Sequence, residues 1–242
     1  MTMREPTGRV AIVTGAAQGI GSAIAERLAR DDVRLVLVDL KPQPVFELVE
    51  RLLAGGARAA ALPGDVSRPD IAARAAALAQ ELFGGVDILV NNAGISPKHD
   101  GAKATLLNMS LDEWRRVLDV NLTATFLFCK AWLPSMQAKS WGRIVNMSSL
   151  AGRTRSDVPG VHYGATKSGI IGFSRLLANE VGPQGVTPST AWRPAASSRR
   201  SPRTSARPRT APTCRACRCA ASATRRKWPP PWRIWRRTRR RS

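Results

Sequence analysis

The chain has 242 residues, enough for one α/β domain with a substantial core, and a formal net charge of +21 that on its own suggests a nucleic-acid binder. The charge is confined to one end. Residues 187–242 hold 17 Arg and Lys and no Asp or Glu, leaving 21 basic against 17 acidic groups in residues 1–186, a net of +4 that is ordinary for a soluble enzyme.

Residues 9–14 are a nearly continuous apolar run, which predicts a first strand covered on both faces. It enters Thr14-Gly15-Ala16-Ala17-Gln18-Gly19-Ile20-Gly21 and then a helix over residues 19–30, with Ile20, Ile24 and Leu28 at helical spacing. A glycine turn between strand and helix lets backbone amides and a helix N-terminus approach a pyrophosphate without interference from Cβ atoms. Three residues separate the first two glycines, unlike the single residue of G-x-G-x-x-G. Gly15, Gln18, Gly19, Ile20 and Gly21 are the candidate contacts.

The second strand, residues 34–39, ends at Asp39, 18 residues past Gly21. A carboxylate there can accept hydrogen bonds from both adenosine ribose hydroxyls and would repel a 2′-phosphate. No Arg or Lys stands in place of Gln18, and Lys41 is the only nearby base, so NAD is favoured over NADP. The competing reading is a solvated aspartate at a strand end.

A helix over 44–54 leads to a third strand, 57–62, followed by Asp65-Val66. Two readings of that pair stand equally: contact with an adenine amino group, or an Asp that caps the next helix, 69–83. After the fourth strand, 87–91, comes Asn91-Asn92-Ala93-Gly94, at the edge where ligands bind in open sheets. Asn92, Ala93 and Gly94 are candidate cofactor contacts, and paired asparagines also serve to hydrogen-bond loop backbone.

His99 falls in a loop over 96–103 and receives no role. Ser110 with Glu113 forms a capping box that opens a long helix, 111–138. Within it Asn121, a poor helix former, sits between apolar Val120 and Leu122 and reads either as a catalytic group or as a satisfied polar core residue. The fifth strand, 143–148, delivers Ser148 and Ser149 to its carboxyl end, 14 residues before Tyr163.

Tyr163 and Lys167 open the last helix, 163–181, one turn apart on one face. Free tyrosine, with a pKa of ~10, is a poor base at neutral pH, and a neighbouring cation favours its phenolate. Such a pair suits general acid–base work, and a strand-end serine hydroxyl could stabilise developing charge on a substrate oxygen. His162 adjoins the tyrosine; substrate contact and an incidental loop histidine are both open.

In order and rough spacing, the T-G-x-x-x-G-I-G turn, Asp39, N-N-A-G, Asn121, Ser149 and Y-G-A-T-K resemble the short-chain dehydrogenase/reductase family over residues 8–186. Within it the sequence is similar to the branch that includes 3-oxoacyl-carrier-protein reductases. The resemblance implies a single-domain, doubly wound parallel sheet (Rossmann-like). Right-handed crossovers put strands 3-2-1 on one side and 4-5 on the other. It implies hydride transfer between NAD(H) and a small-molecule alcohol or ketone. By that resemblance Tyr163 would exchange the proton, and Lys167 would lower its pKa while binding the nicotinamide ribose. Ser149, in preference to Ser148, would polarise the carbonyl, and Asn121 would hold a proton-relay water. Tyr163 and Lys167 thus count among the cofactor contacts as well as the catalytic residues. The resemblance also implies, for intact relatives, a homo-oligomer, with dimerisation through the fourth and fifth helices common in the family.

After Val186 the pattern stops. Residues 187–242 contain one Ile, no Leu, Val, Phe, Met or Tyr, eight Pro and four Trp, too little apolar surface to offset ~1–2 kcal/mol of backbone entropy per ordered residue. The expected division is a folded domain over 1–186 and a disordered tail over 187–242, with strands six and seven lost and the edge beside strand five exposed. Read one frame over, codons for residues 189–195 permit Val-Asn-Ser-Val-Ala-Pro-Gly, the sixth-strand sequence that the family resemblance calls for. This is the mark of a frameshift near Thr187, and resequencing that stretch checks it.

Two alternatives follow: a catalytically impaired remnant that keeps nucleotide binding, and a protein whose Arg- and Trp-rich tail binds nucleic acid. Cys214, Cys217 and Cys219 lack a fourth ligand at zinc spacing, so no metal is expected. Cys129 is the only cysteine before the tail, no signal peptide precedes the first strand, and no run approaches ~20 apolar residues, which together suggest a cytoplasmic protein without a membrane span.

Overall fold

The structure is a computed structural model and describes residues 8–191. The expectations for residues 192–242, their disorder, cysteines and basic charge, lie outside the described residues.

Alternating apolar runs and helical segments fold as βαβ units. They are β1 (Val10–Thr14), α1 (Gly19–Ala29), β2 (Arg34–Asp39), α2 (Pro42–Ala54), β3 (Ala59–Pro63), α3 (Pro69–Phe83) and β4 (Ile88–Asn91). A short hairpin follows, β5 (Lys98–His99) with β6 (Ala102–Lys103). Then come α4 (Leu111–Leu118), a π-helical turn (Asp119–Thr123), α5 (Ala124–Ala138), β7 (Gly142–Met147), α6 (Val161–Val181) and β8 (Val186–Ala191).

The main sheet has the order β3-β2-β1-β4-β7-β8, and its neighbouring strands all pair in parallel. Successive strand side chains alternate between faces, so both faces need cover. Ile12 and Val36 join a core with Ala75, Phe128 and Trp132 of α3 and α5, while Val13 and Leu35 join a second core with Ala25 and Leu48 of α1 and α2. The chain reverses its direction of winding between β1 and β4, which opens a crevice at their carboxyl ends.

Three features depart from the expectations. The sixth main-sheet strand is present: β8 pairs with β7 from Gly142↔Val186 to Met147↔Ala191. An edge strand needs backbone pairing and one apolar face, and Val186 and Pro188 supply that face, buried, while Thr187 and Ser189 point out. Pro188 lacks an N–H but costs no ladder bond on a strand with a single neighbour. The edge beside β7 is therefore covered among the described residues.

The long helix expected over 111–138 is interrupted by the π turn, which carries Asn121. The loop around His99 is a hairpin whose two-residue turn, Asp100-Gly101, has positive φ at both positions (50° and 77°), as a type I′ turn requires.

Candidate active site

The glycine turn is shaped by close approaches. A Cβ on Gly15 would stand 2.8 Å from the Cα of Ala93, and one on Gly21 would stand 2.0 Å from the carbonyl oxygen of Gly15. Both positions therefore exclude any larger residue. Gly19, with φ +60°, has nothing within 4 Å of a Cβ because it faces open space. Gln18 precedes α1 without a side-chain cap, and no acidic residue occupies the first turn, so the leading amides of α1 are left for an anion.

That open space is a cleft of about 400 Å³. It is lined by Gly15, Gln18, Gly19, Ile20, Asp39, Asp65, Val66, Asn92, Ala93 and Gly94, all singled out from the sequence, and by Lys41, Arg116 and Val120, which were not singled out as contacts. Gly21 packs beneath the turn rather than lining it. The cradle that a Cβ would fill at Gly19, with uncapped amides and the Asp39 carboxylate beside the turn, fits a dinucleotide.

Asp39 accepts the N–H of Ala17 on one carboxylate oxygen (2.9 Å) and that of Lys41 on the other (3.0 Å), which holds it at the cleft wall. Asp65 caps its own turn: its Oδ1 accepts from the Ser67 amide (3.0 Å) and hydroxyl (2.7 Å), and its Oδ2 lies 2.9 Å from the Arg116 guanidinium. Burial opposes its ionisation, but the Ser67 bonds and Arg116 outweigh burial and hold the carboxyl below its ordinary pKa.

Asn92 braces the turn, its Nδ2 donating to the carbonyls of Thr14 (3.0 Å) and Gly15 (2.9 Å). The Thr14 hydroxyl accepts the amides of Asn92 and Ala93, each at 3.1 Å. Asn91 turns inward to Asn146 (2.8 Å), which donates to Ser174 (2.8 Å), a buried polar chain from β4 through β7 to α6.

The cleft meets the Tyr163–Lys167 pair at Gly94. A Cβ there would come within 3.3 Å of Asn121 Oδ1 and 3.5 Å of Lys167 Nζ. Lys167 is 4% exposed, donates to the Met147 carbonyl (2.7 Å) and stands 5.6 Å from the Tyr163 ring centroid. Burial lowers its pKa from 10.5 to about 8.

The two serines differ. Ser148 spends its proton on the carbonyl of Lys167 (2.9 Å), whereas Ser149 accepts the amide of Ala151 (3.2 Å) and keeps its proton to donate. Asn121 is fully buried: Oδ1 accepts the amide of Ile95 (2.7 Å), and Nδ2 donates to Ile95 O (3.0 Å) and Thr166 Oγ1 (3.2 Å). Both its N–H groups are engaged, and Oδ1 keeps one lone pair.

Sequence reasoning missed one cluster. Glu113 accepts from His162 Nε2 on Oε1 (2.9 Å) and lies 2.7 Å from His99 Nε2 on Oε2. The Ser110 cap forms as expected, its hydroxyl accepting the Glu113 amide (3.0 Å), but the Glu113 side chain leaves the box for the histidines. Those two hydrogen bonds hold its carboxyl below the ordinary range. The Asp-Gly turn was the available signal for the hairpin that delivers His99.

Comparison with known proteins gives consistent results. A family model described as short chain dehydrogenase matches residues 9–195. The short-chain reductase protein NovJ of Streptomyces niveus is 41% identical over 178 residues, covering 74% of this chain and 65% of NovJ. A 3-oxoacyl-[acyl-carrier protein] reductase with bound NAD from Brucella melitensis superposes with a TM-score of 0.71 at 43% identity, covering 75% of this chain and 69% of the other. A metagenomic short-chain oxidoreductase in complex with NADP superposes with the same TM-score at 34% identity, covering 77% and 82%. The chain thus spans about two thirds of the length of NovJ and of the Brucella reductase. Among the described residues no helix is long and apolar enough to cross a membrane.

Proposed function

Because this chain belongs to the short-chain dehydrogenase family, we propose that it is an oxidoreductase using NAD(H) on an alcohol/carbonyl pair, with 3-oxoacyl thioesters as the first substrates to try. The observation that supports this most is a desolvated ammonium, Lys167, one helical turn from Tyr163 and beneath Gly94 at the end of a dinucleotide-shaped cleft. The cofactor, when bound, supplies the hydride.

The chain's own residues do the rest. The glycine turn and the first amides of α1 receive the pyrophosphate. Asp39, already held by two backbone amides, has lone pairs left for ribose hydroxyls and disfavours a 2′-phosphate. Ser149, with its proton free, donates to the substrate oxygen and Tyr163 exchanges the proton at that oxygen. Lys167, charged below about 8, favours the phenolate and would hold the nicotinamide ribose of a bound cofactor. Asn121 ties Ile95 to Thr166 and offers its remaining lone pair to a relay water.

Tyr163→Phe tests the reading. Oxidation of NADH with acetoacetyl-coenzyme A, followed by absorbance, should fall by ~10²–10⁴ in kcat, while quenching of NADH fluorescence shows binding within about twofold of the parent. Turnover equal to the parent's would overturn it.

A second reading, a nucleotide binder without turnover, is favoured by the family match stopping at residue 195 and by the apolar-poor composition from 187 onward. NADH binding by the full chain, with turnover appearing only when the sequence after Thr187 is restored to the alternative frame, would establish it.

A further inference from the structure

Tyr163 is the third residue of α6, so its N–H is one of the donors that a helix N-terminus leaves without an intrahelical partner. Gly160 precedes the helix and has no side chain to cap it. The partner is instead the ring of the preceding residue: the Tyr163 amide donates to His162 Nδ1 at 2.7 Å.

That bond defines the histidine. An Nδ1 that accepts carries no proton, so the neutral ring holds its proton on Nε2, where it donates to Glu113 Oε1 (2.9 Å). His162 is fully buried. A Cβ on Gly160 would press to 2.8 Å on its ring, so the glycine makes the room for this rotamer. Glu113 is fixed from three sides, by the Ser110 cap on its amide, by His162 on one oxygen and by His99 of the β5–β6 hairpin on the other. The trio is not an arrangement that shares a metal, since each Nε2 faces a carboxylate oxygen at hydrogen-bond distance; no metal-holding group is found among the described residues.

Resting on the acid–base role given above to Tyr163, we infer that Glu113 and His162 are positioning residues for that tyrosine. Glu113 selects the His162 tautomer, His162 holds the Tyr163 backbone, and the phenol is thereby set against substrate. His99 adds a second arm that ties the hairpin to the same carboxylate. The hairpin also holds the loop before α6, Lys98 donating to the Val158 carbonyl (2.8 Å), so that loop and the tyrosine share one anchor.

The chain contains a single tyrosine, so labelling tyrosine with ¹⁵N gives one amide signal, that of the bond in question. Solvent exchange of this amide in the full chain should rise at least ~10-fold in Glu113→Met and in His162→Phe, the loss of roughly one net hydrogen bond. It should stay near the parent in Glu113→Gln, whose amide oxygen still accepts from Nε2, and in Ser110→Ala, which loses only the cap. His99→Ala should fall between. In turnover, Glu113→Met should lose on the order of 10- to 100-fold in kcat with KM nearly unchanged, as misplacement of a reacting group does.

A protein weakened generally would instead show the change in Ser110→Ala too. If Glu113→Met fails to fold, His162→Phe, which keeps a flat aromatic ring but removes the acceptor, carries the same measurement. Parent-like amide exchange in these variants overturns the inference. Full turnover by Tyr163→Phe would sink the acid–base reading and leave the amide result standing.

Discussion

The carboxyl edge of the sheet is built in two different ways on either side of the gap between β1 and β4. On the β1–β2–β3 side the contacts offered are mostly backbone amides and bare glycines; Asp39 is gripped by two amides, and Asp65 is taken up by Ser67 and Arg116. On the β4–β7 side the site is a mesh of side chains, Asn121 to Thr166, Asn91 to Asn146 to Ser174, and Glu113 to both histidines. A site made of backbone tolerates many side chains around it but almost no Cβ within it. One made of side chains is sensitive to single polar substitutions, because each buried donor left alone costs ~1–3 kcal/mol.

The sharpest way to break this contrast is to add methyl groups on the backbone-built side. In Gly21→Ala the new Cβ would meet the Gly15 carbonyl at 2.0 Å and Asn92 Nδ2 at 2.7 Å, neither of which can move without unseating the turn. The expected result is a loss of stability on the order of 4 kcal/mol by urea unfolding, with NADH binding lost. Gly19→Ala is the internal contrast. Its methyl meets open space and pays only the left-handed backbone penalty of ~1–2 kcal/mol, so the protein folds while the methyl obstructs the phosphates. Equal stability of the two variants would erase the distinction between a packed and a presented glycine.

The side-chain half is tested through Lys167. Its folded pKa of about 8 lies below the ordinary 10.5, so between those values the unfolded chain holds a proton that the folded chain has released. Stability therefore rises with pH across that window and carries the full desolvation cost below it. Replacing the ammonium with an uncharged chain, Lys167→Met, removes the rise. The stability gap between variant and parent, measured by urea unfolding without nucleotide, should change by on the order of 3 kcal/mol between neutral pH and the upper end of the window. A gap independent of pH would mean that the ammonium is hydrated rather than desolvated.

The same contrast explains what could be read in the residues. Glycine spacing and apolar runs are local, so the turn at Gly15–Gly21, the strand ends and Asp39 stood out at once. Asn121 is legible as a misfit between apolar neighbours, but a π turn depends on tertiary fit and leaves no periodic trace in the residues. Ser110 three residues before Glu113 spells a capping box, and the cap on the amide forms, whereas the partners of the Glu113 side chain are 14 and 49 residues distant. The Asp100-Gly101 pair is a legible turn signal. Strand β8 is poor in aliphatic residues, yet Val186 and Pro188 suffice for an edge strand with a ready partner in β7.

The mildest effect concerns cofactor choice, where solved relatives hold NAD in one case and NADP in another. Asp39 reaches the cleft as a carboxylate with each oxygen already accepting one backbone N–H. In Asp39→Asn the charge is gone, and one of those amides, Ala17 or Lys41, must face an NH₂ group instead of an oxygen. The repulsion toward a 2′-phosphate disappears, and Lys41, on the cleft wall, becomes an unopposed cation. The ratio of NADH to NADPH affinity, read by fluorescence titration, should fall on the order of 10-fold, about 1.4 kcal/mol. Most of the change should come from tighter NADPH binding, because the ribose bonds lost by NADH are partly kept by the asparagine oxygen. A ratio that stays fixed would move selectivity from Asp39 to the backbone around it and make the adenosine half of the site wholly a matter of main chain.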